Sequence, residues 1–283
     1  MERAQVTITD FRTKKRDGKK ITMLTAYDYP VARLVDEAGV DAILVGDSLA
    51  MVALGYTSTV PVTMDEMIHH AKAVRRGTRH AFLIGDMPFL SYQVSKEEAV
   101  RNAGRFVKEA LCDAVKLEGG LEACPATKAI VDAGIPVLGH LGLTPQSAIK
   151  LGGYKVQGKG ADAAAKIVEG AVALQAAGCF AVVLECIPAE LAKIITERLE
   201  IPTIGIGAGP DCDGQVLVTN DMLGLFDRFT PKFVKQYAQL GRLIADGVAR
   251  YRHDVEAGTF PEAEHTFTMK SDELAKLKQS GVT

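Results

Sequence analysis

Four carboxylates close apolar runs in this 283-residue chain: Asp47 after ILVG, Asp86 after FLIG, Glu118 in VKLEGG and Glu185 in VVLECIP. Ser48 follows Asp47, Lys116 stands two residues before Glu118, and His140 sits in a fifth run, VLGHLG. A charged side chain at the end of a buried segment costs free energy unless it is partnered. One aspartate so placed ordinarily caps the following helix or turns the chain beside its glycine. Capping would scatter four of them, however, and here they stand at equivalent ends of separate runs. Gathered carboxylates repel, so some must be protonated or a cation must neutralise them. Lys116 alone cannot balance Asp47, Asp86 and Glu118. Oxygen ligands without a Cys or His cluster suit Mg2+ or Mn2+ better than zinc. Mg2+ takes few protein ligands and leaves positions for water and substrate, which fits two aspartates and a more distant Glu118. His69 and His70 are adjacent on a helical stretch, point in different directions and make a poor joint zinc site.

The elements that would gather these residues recur along the chain. ITMLTAYD, AILVGDS, AFLIGDMP, AVKLEGG, PVLGHLG, AVVLECIP, PTIGIGAG and QVLVTND each end in a polar or glycine-rich corner, with amphipathic helical stretches between most of them. Continuous apolar strands alternating with helices imply parallel pairing with both sheet faces covered. Eight runs favour a closed α/β barrel, the (β/α)8 TIM barrel, over an open doubly wound sheet. In such a barrel the carboxyl ends of the strands converge on one mouth. Lys116 and Glu118, two apart, share a strand face. QVLVTND is the weakest unit, with little helix-like sequence before it. Residues 1–20 read as a polar N-terminal helix able to close the lower mouth. Leu223 to Tyr251 reads as a C-terminal helical extension, and 260–283 as a polar tail. No linker divides the chain, so a single domain over 1–283 is expected.

Composition narrows the function. With 47% hydrophobic and 24% charged residues the chain can bury a sizeable core, and a net charge of −2 gives no field to recruit nucleic acid or anionic lipid. The basic stretch RTKKRDGKK, Arg12 to Lys20, is short and interrupted, as a solvated helix end would be. Five cysteines without a CxxC spacing argue against a disulfide framework or structural zinc and fit a reducing cytoplasm. No signal-peptide pattern or membrane-length apolar run is present, so the expectation is a cytoplasmic protein with no membrane partner. IGIGAG, Ile204 to Gly209, suits a tight turn or a phosphate site but is not the GxGxxG dinucleotide pattern. Cys186 lacks an adjacent activating His. His140 suits either a core histidine or a substrate-facing role.

LVGDSL, TSTVPVT, VKLEGG, GHLGLTPQS, GGYKVQGK, LECIPAELAK, IGIGAG and DGQVLV, in this order and spacing, closely resemble the ketopantoate hydroxymethyltransferase (3-methyl-2-oxobutanoate hydroxymethyltransferase) family. The resemblance runs from TAYDYP to EHTF. Ala50 departs from the glycine many members carry, and PEAEHTF is a looser match. The family is a phosphoenolpyruvate/pyruvate-type (β/α)8 barrel assembled as a homodecamer. It transfers a one-carbon unit from 5,10-methylenetetrahydrofolate, its co-substrate, to 3-methyl-2-oxobutanoate. The product is 2-dehydropantoate, in the first committed step of pantothenate biosynthesis. The resemblance implies one Mg2+ per subunit on Asp47 and Asp86, with Glu118 completing its shell. It also implies oxo-acid contacts from Asp47, Ser48, Asp86 and Lys116, a proton-accepting Glu185, and an enolate that the cation stabilises. Two rivals stay open. One is another Mg2+-dependent lyase or mutase of the same barrel, although its KKCGH-type loop is missing here. The other is a non-catalytic oxo-acid-binding assembly protein.

Overall fold

Apolar β-branched runs and amphipathic helices alternate as the sequence pattern requires. A computed structural model describes residues 3–150 and 152–281. Residues 1 and 2 of the expected polar helix, 282 and 283 of the expected tail, and residue 151 lie outside the described residues. The strands are β1 Ile21–Thr25, β2 Ala42–Val45, β3 Phe82–Asp86, β4 Ala114–Glu118, β5 Val137–Gly142, β6 Ala181–Glu185, β7 Thr203–Ile206 and β8 Gly214–Leu217. Each pairs in parallel with the next and β8 returns to β1, closing a (β/α)8 TIM barrel. The helices begin where side chains satisfy their first backbone donors. Asp28 Oδ1 accepts from Val31 N, and Thr63 and Glu66 form a capping box ahead of Met64–Gly77. Ser95 caps Lys96–Ala110.

Strand alternation divides the core into two layers. Ile43, Val45, Leu83, Val115, Leu117, Val182 and Leu184 pack outward against helix residues such as Met67, Phe106, Leu174 and Ile195. Ala42, Leu44, Phe82, Ile84, Ala114, Leu138, Ala181 and Val183 fill the lumen. Counting on by twos places Asp86, Lys116, Glu118, His140 and Glu185 on the lumen face at the carboxyl ends of β3 to β6. Lys116 and Glu118 share one face, as expected, and that face is the lumen.

The opposite mouth is closed by the helix Ile8–Arg16. Its Phe11 meets Phe82 and Phe180 edge-on, ring centroids 5.5 Å apart. Lys14 and Lys15 pair with Asp41 (2.6 Å) and Asp213 (2.8 Å), so part of the basic stretch clamps this helix to the barrel. β8 joins β7 through a helix-free turn, which accounts for its weak signal in the sequence.

One expectation fails in part toward the carboxyl terminus. Of the stretch expected to run as helix from Leu223 to Tyr251, only the part from Leu240 onward is helical, in the helix Leu240–Glu256, while a short helix, Thr219–Met222, precedes it. The intervening 223–239 is irregular because Gly224 turns with φ 64° and Pro231 has no N–H to give a helix. Up to residue 281 the expected tail is polar and exposed and carries one short α-helix, Ser271–Gln279. The chain divides into two units, Met1–Tyr237 and Ala238–Thr283. The second holds the helices Leu240–Glu256 and Ser271–Gln279, with Phe260 between the rings of Tyr251 (5.7 Å) and His265 (5.3 Å). No helix among the described residues is long and apolar enough to cross a membrane.

Candidate active site

The strand ends open into a cavity of about 460 Å3 in the first unit. Asp47, Ser48, Asp86, Lys116, Glu118, His140 and Glu185 all line it. The structure therefore brings together every site residue singled out from the sequence. Asp47 lies just past β2, where its backbone N–H donates to Asp86 Oδ2 (2.9 Å). Lys116 Nζ stands 2.9 Å from Asp86 Oδ1 and 3.9 Å from Glu118 Oε1. His140 links the two sides: Nδ1 is 3.5 Å from Glu118 Oε1, and Nε2 is 3.1 Å from Glu185 Oε2. Ser48 Oγ shares a hydrogen bond with Tyr27 Oη (2.8 Å).

Burial governs the protonation of this floor. It raises Asp47 well above the ordinary carboxylate range, and the charges of Asp86 and Glu118 add to the rise. Burial raises Asp86 too, with Lys116 opposing. For Glu118 burial is overcome by His140 and Lys116, which leave its pKa lowered. Burial works against the charge on Lys116, yet Asp86, Glu118 and Asp47 together raise its pKa. Burial and Lys116 both oppose protonation of His140, but Glu118 and Glu185 on its two sides push it up to about 9.

The donor set suits a hard cation. Asp86 Oδ1 and Glu118 Oε1 are buried without an aligned hydrogen bond, although Lys116 lies close to both. Among the described residues no three His, Cys, Asp or Glu side chains already surround one metal position. The reason is visible at Gln146, a residue that periodicity did not single out. Its N–H donates to Glu118 Oε2 (3.0 Å), and its Nε2 donates to Asp47 Oδ2 (2.9 Å) and Met87 O (2.9 Å). Tyr92 Oη in turn donates to Gln146 Oε1 (2.8 Å). Asp47 and Asp86 offer the buried carboxylate oxygens that a hard cation such as Mg2+ takes alongside water and substrate.

Around this floor the walls are apolar. Met51 and Val52, from the apolar run after Asp47, line the cavity, so that run covers the site. Phe226, Phe229 and Phe233 complete the wall from the irregular segment after β8. Arg228 anchors that segment by donating to Gly55 O and Tyr56 O, both at 2.8 Å. Gly207 of IGIGAG has φ 63°, and a Cβ there would come within 2.8 Å of the Phe233 ring. A tight turn with close packing is thus what the glycines provide. Burial and the neighbouring Glu185 push the Cys186 thiol up to about 12, which leaves it no nucleophile at neutral pH. His70 Nδ1 contacts Tyr27 O at 2.6 Å, and His69 is exposed, so the pair builds no joint site.

The sequence profile described as ketopantoate hydroxymethyltransferase matches residues 5–263. The chain belongs to the ketopantoate hydroxymethyltransferase family. The 3-methyl-2-oxobutanoate hydroxymethyltransferase of Syntrophomonas wolfei is 60% identical over 97% of this chain and 99% of its own. That of Desulfotalea psychrophila is 61% identical over 94% of this chain and 95% of its own. Members of this family are transferases, and the chain is an enzyme of that class. More distant likeness is of fold. A 2,3-dimethylmalate lyase of the PEP mutase/isocitrate lyase superfamily matches with a TM-score of 0.60 at 17% identity, covering 98% of this chain and 96% of that one. A phosphonopyruvate hydrolase matches with a TM-score of 0.60 at 13% identity, covering 98% of this chain and 96% of that one.

Proposed function

We propose that the enzyme transfers a hydroxymethyl group from 5,10-methylenetetrahydrofolate to 3-methyl-2-oxobutanoate, giving 2-dehydropantoate for pantothenate biosynthesis. The observation that carries this reading is one buried floor holding Asp47, Asp86 and Lys116, with Glu185 beside it. Asp47 and Asp86 would hold one Mg2+ per subunit, and Glu118 beyond them would complete its surroundings. When bound, the ion supplies a Lewis acid that polarises the substrate ketone. Lys116 and the Ser48 hydroxyl, steadied by Tyr27, orient the substrate carboxylate. Glu185 accepts the proton from the carbon next to the ketone, breaking that C–H bond. The freed electron pair forms the new bond to the methylene carbon of the folate. Both bonds from that carbon to N5 and N10 break, one water supplies the product hydroxyl, and the proton taken by Glu185 and the water's other proton end on the two nitrogens of the released tetrahydrofolate. His140, facing Glu185 at 3.1 Å, fixes the orientation of the carboxylate that accepts the proton.

The reading extends to the whole protein. Self-association to a homodecamer and a cytoplasmic location are part of the proposal, the latter supported by free cysteines throughout. Turnover of the two substrates should require a divalent cation and stop when a chelator is added. Glu185→Gln should still bind the oxo acid but lose exchange of its adjacent proton with deuterated solvent, read by NMR, by about 100-fold or more. Exchange at the wild-type rate in that variant would remove Glu185 as the base.

A further inference from the structure

Asp221 follows β8 on the short helix Thr219–Met222 and lines the same cavity, yet no step above uses it. Its residue is only 9% exposed, and its carboxylate has no hydrogen-bond or ion-pair partner among the described residues. The cavity it lines has apolar wall residues in Met51, Val52, Val218, Phe226 and Phe229, and Asp221 lies near enough to Tyr27 to act on it electrostatically. Burial alone pushes this carboxyl up to about 6. An acid held inside an apolar wall, without a partner, costs stability that nothing within the protein repays. The outer rim carries the opposite sign, for Lys155 and Lys232 line the cavity and are exposed.

We propose that Asp221 binds the pterin ring of the folate co-substrate through its N3–H and 2-amino group, while Lys155 and Lys232 meet the glutamate carboxylates. This rests on the one-carbon transfer proposed above. The pterin edge offers two parallel N–H donors, and a carboxylate is the side chain with two parallel acceptors. The flat ring suits the Phe226 and Phe229 wall. A cavity of about 460 Å3 is also of the size that encloses a drug-sized ligand, more than a five-carbon oxo acid requires. Polarity runs the right way along such a molecule, donor-rich head inward to an acid and anionic tail outward to lysines. Asp221 is far from the ion's proposed ligands in role: it acts on the carrier, not on the reacting oxo acid.

Asp221→Asn tests this with little change of shape, because an amide sets one of its own donors against a pterin donor. The probes are tetrahydrofolate and 6-methyltetrahydropterin, which lacks the glutamate tail, titrated into the full-length enzyme by calorimetry. Both should bind about tenfold or more weakly to the variant. The KM for methylenetetrahydrofolate should rise by a similar factor, with the KM for the oxo acid within twofold of wild type. Asp221→Ala gives the same reading with a second side chain, and thermal melts verify that both variants are folded. Wild-type turnover together with pterin affinity unchanged in both variants would overturn the assignment of Asp221 and leave the reaction standing. A wild-type enzyme that neither turns over nor binds tetrahydrofolate would overturn the reaction, and this assignment with it.

Discussion

Asp221 also predicts how the ligand-free protein responds to pH. Its carboxyl is raised to about 6 in the folded state, above its value in the unfolded chain. Between pH 4 and 6 the folded protein therefore binds more protons at this group than the unfolded one. Its contribution to stability is present below about pH 4, declines as the pH rises through 6, and stays lost above. Asp221→Asn lacks that loss. Its Tm without ligand should match wild type near pH 4 and exceed it above pH 6, as thermal melts across that range would check. Other site residues were legible from the sequence because each ends an apolar run and periodicity fixes its face. Asp221 ends a run as well, QVLVTND, but that unit is the weakest of the eight, and a polar T-N-D corner equally suits an ordinary turn. Gln146 was hidden for a different reason. It lies on the short 3-10 turn Pro145–Ser147, where no period operates and only the folded chain brings Asp47, 99 residues away, within reach.

At the level of elements, the strands were legible and the segment after β8 was not. Phe226, Phe229 and Phe233 recur at helical spacing, and periodicity alone assigns them to a helix face. Their partner is instead the cavity, so the spacing reflects a wall spread over coil. Another element carries strain that substitution can relieve. Lys96–Ala110 ends at Leu111, held at φ 53° with its side chain 63% exposed. A leucine pays for the left-handed conformation, whereas glycine adopts it freely. Leu111→Gly should stabilise the protein by about 0.5–1 kcal/mol, net of the entropy glycine adds to the unfolded chain, as urea denaturation would measure. Phe106 in the same helix shows why β3 reads FLIGD: a Cβ on Gly85 would lie 2.2 Å from its ring. That glycine lets the helix settle against the strand that presents Asp86.

For the whole molecule, the exposed side chains Leu243, Ile244, Val248, Tyr251 and Val255 recur along the second unit's helix Leu240–Glu256. An apolar stripe of this kind supports the proposed self-association. Light scattering should return a mass about ten times the 30.3 kDa of the chain, and a monomeric mass at micromolar concentration would rule the decamer out. The closed barrel has its own bearing on what happens inside it. Asp86 and Lys116 are 1% and 3% exposed, while Phe229 in the wall anchored by Arg228 is 52% exposed. A small acid resting on the first two lies beneath any ring seated against the outer wall. On the proposed reaction that acid would arrive first and depart last, a queue set by the depth of the floor beneath the wall.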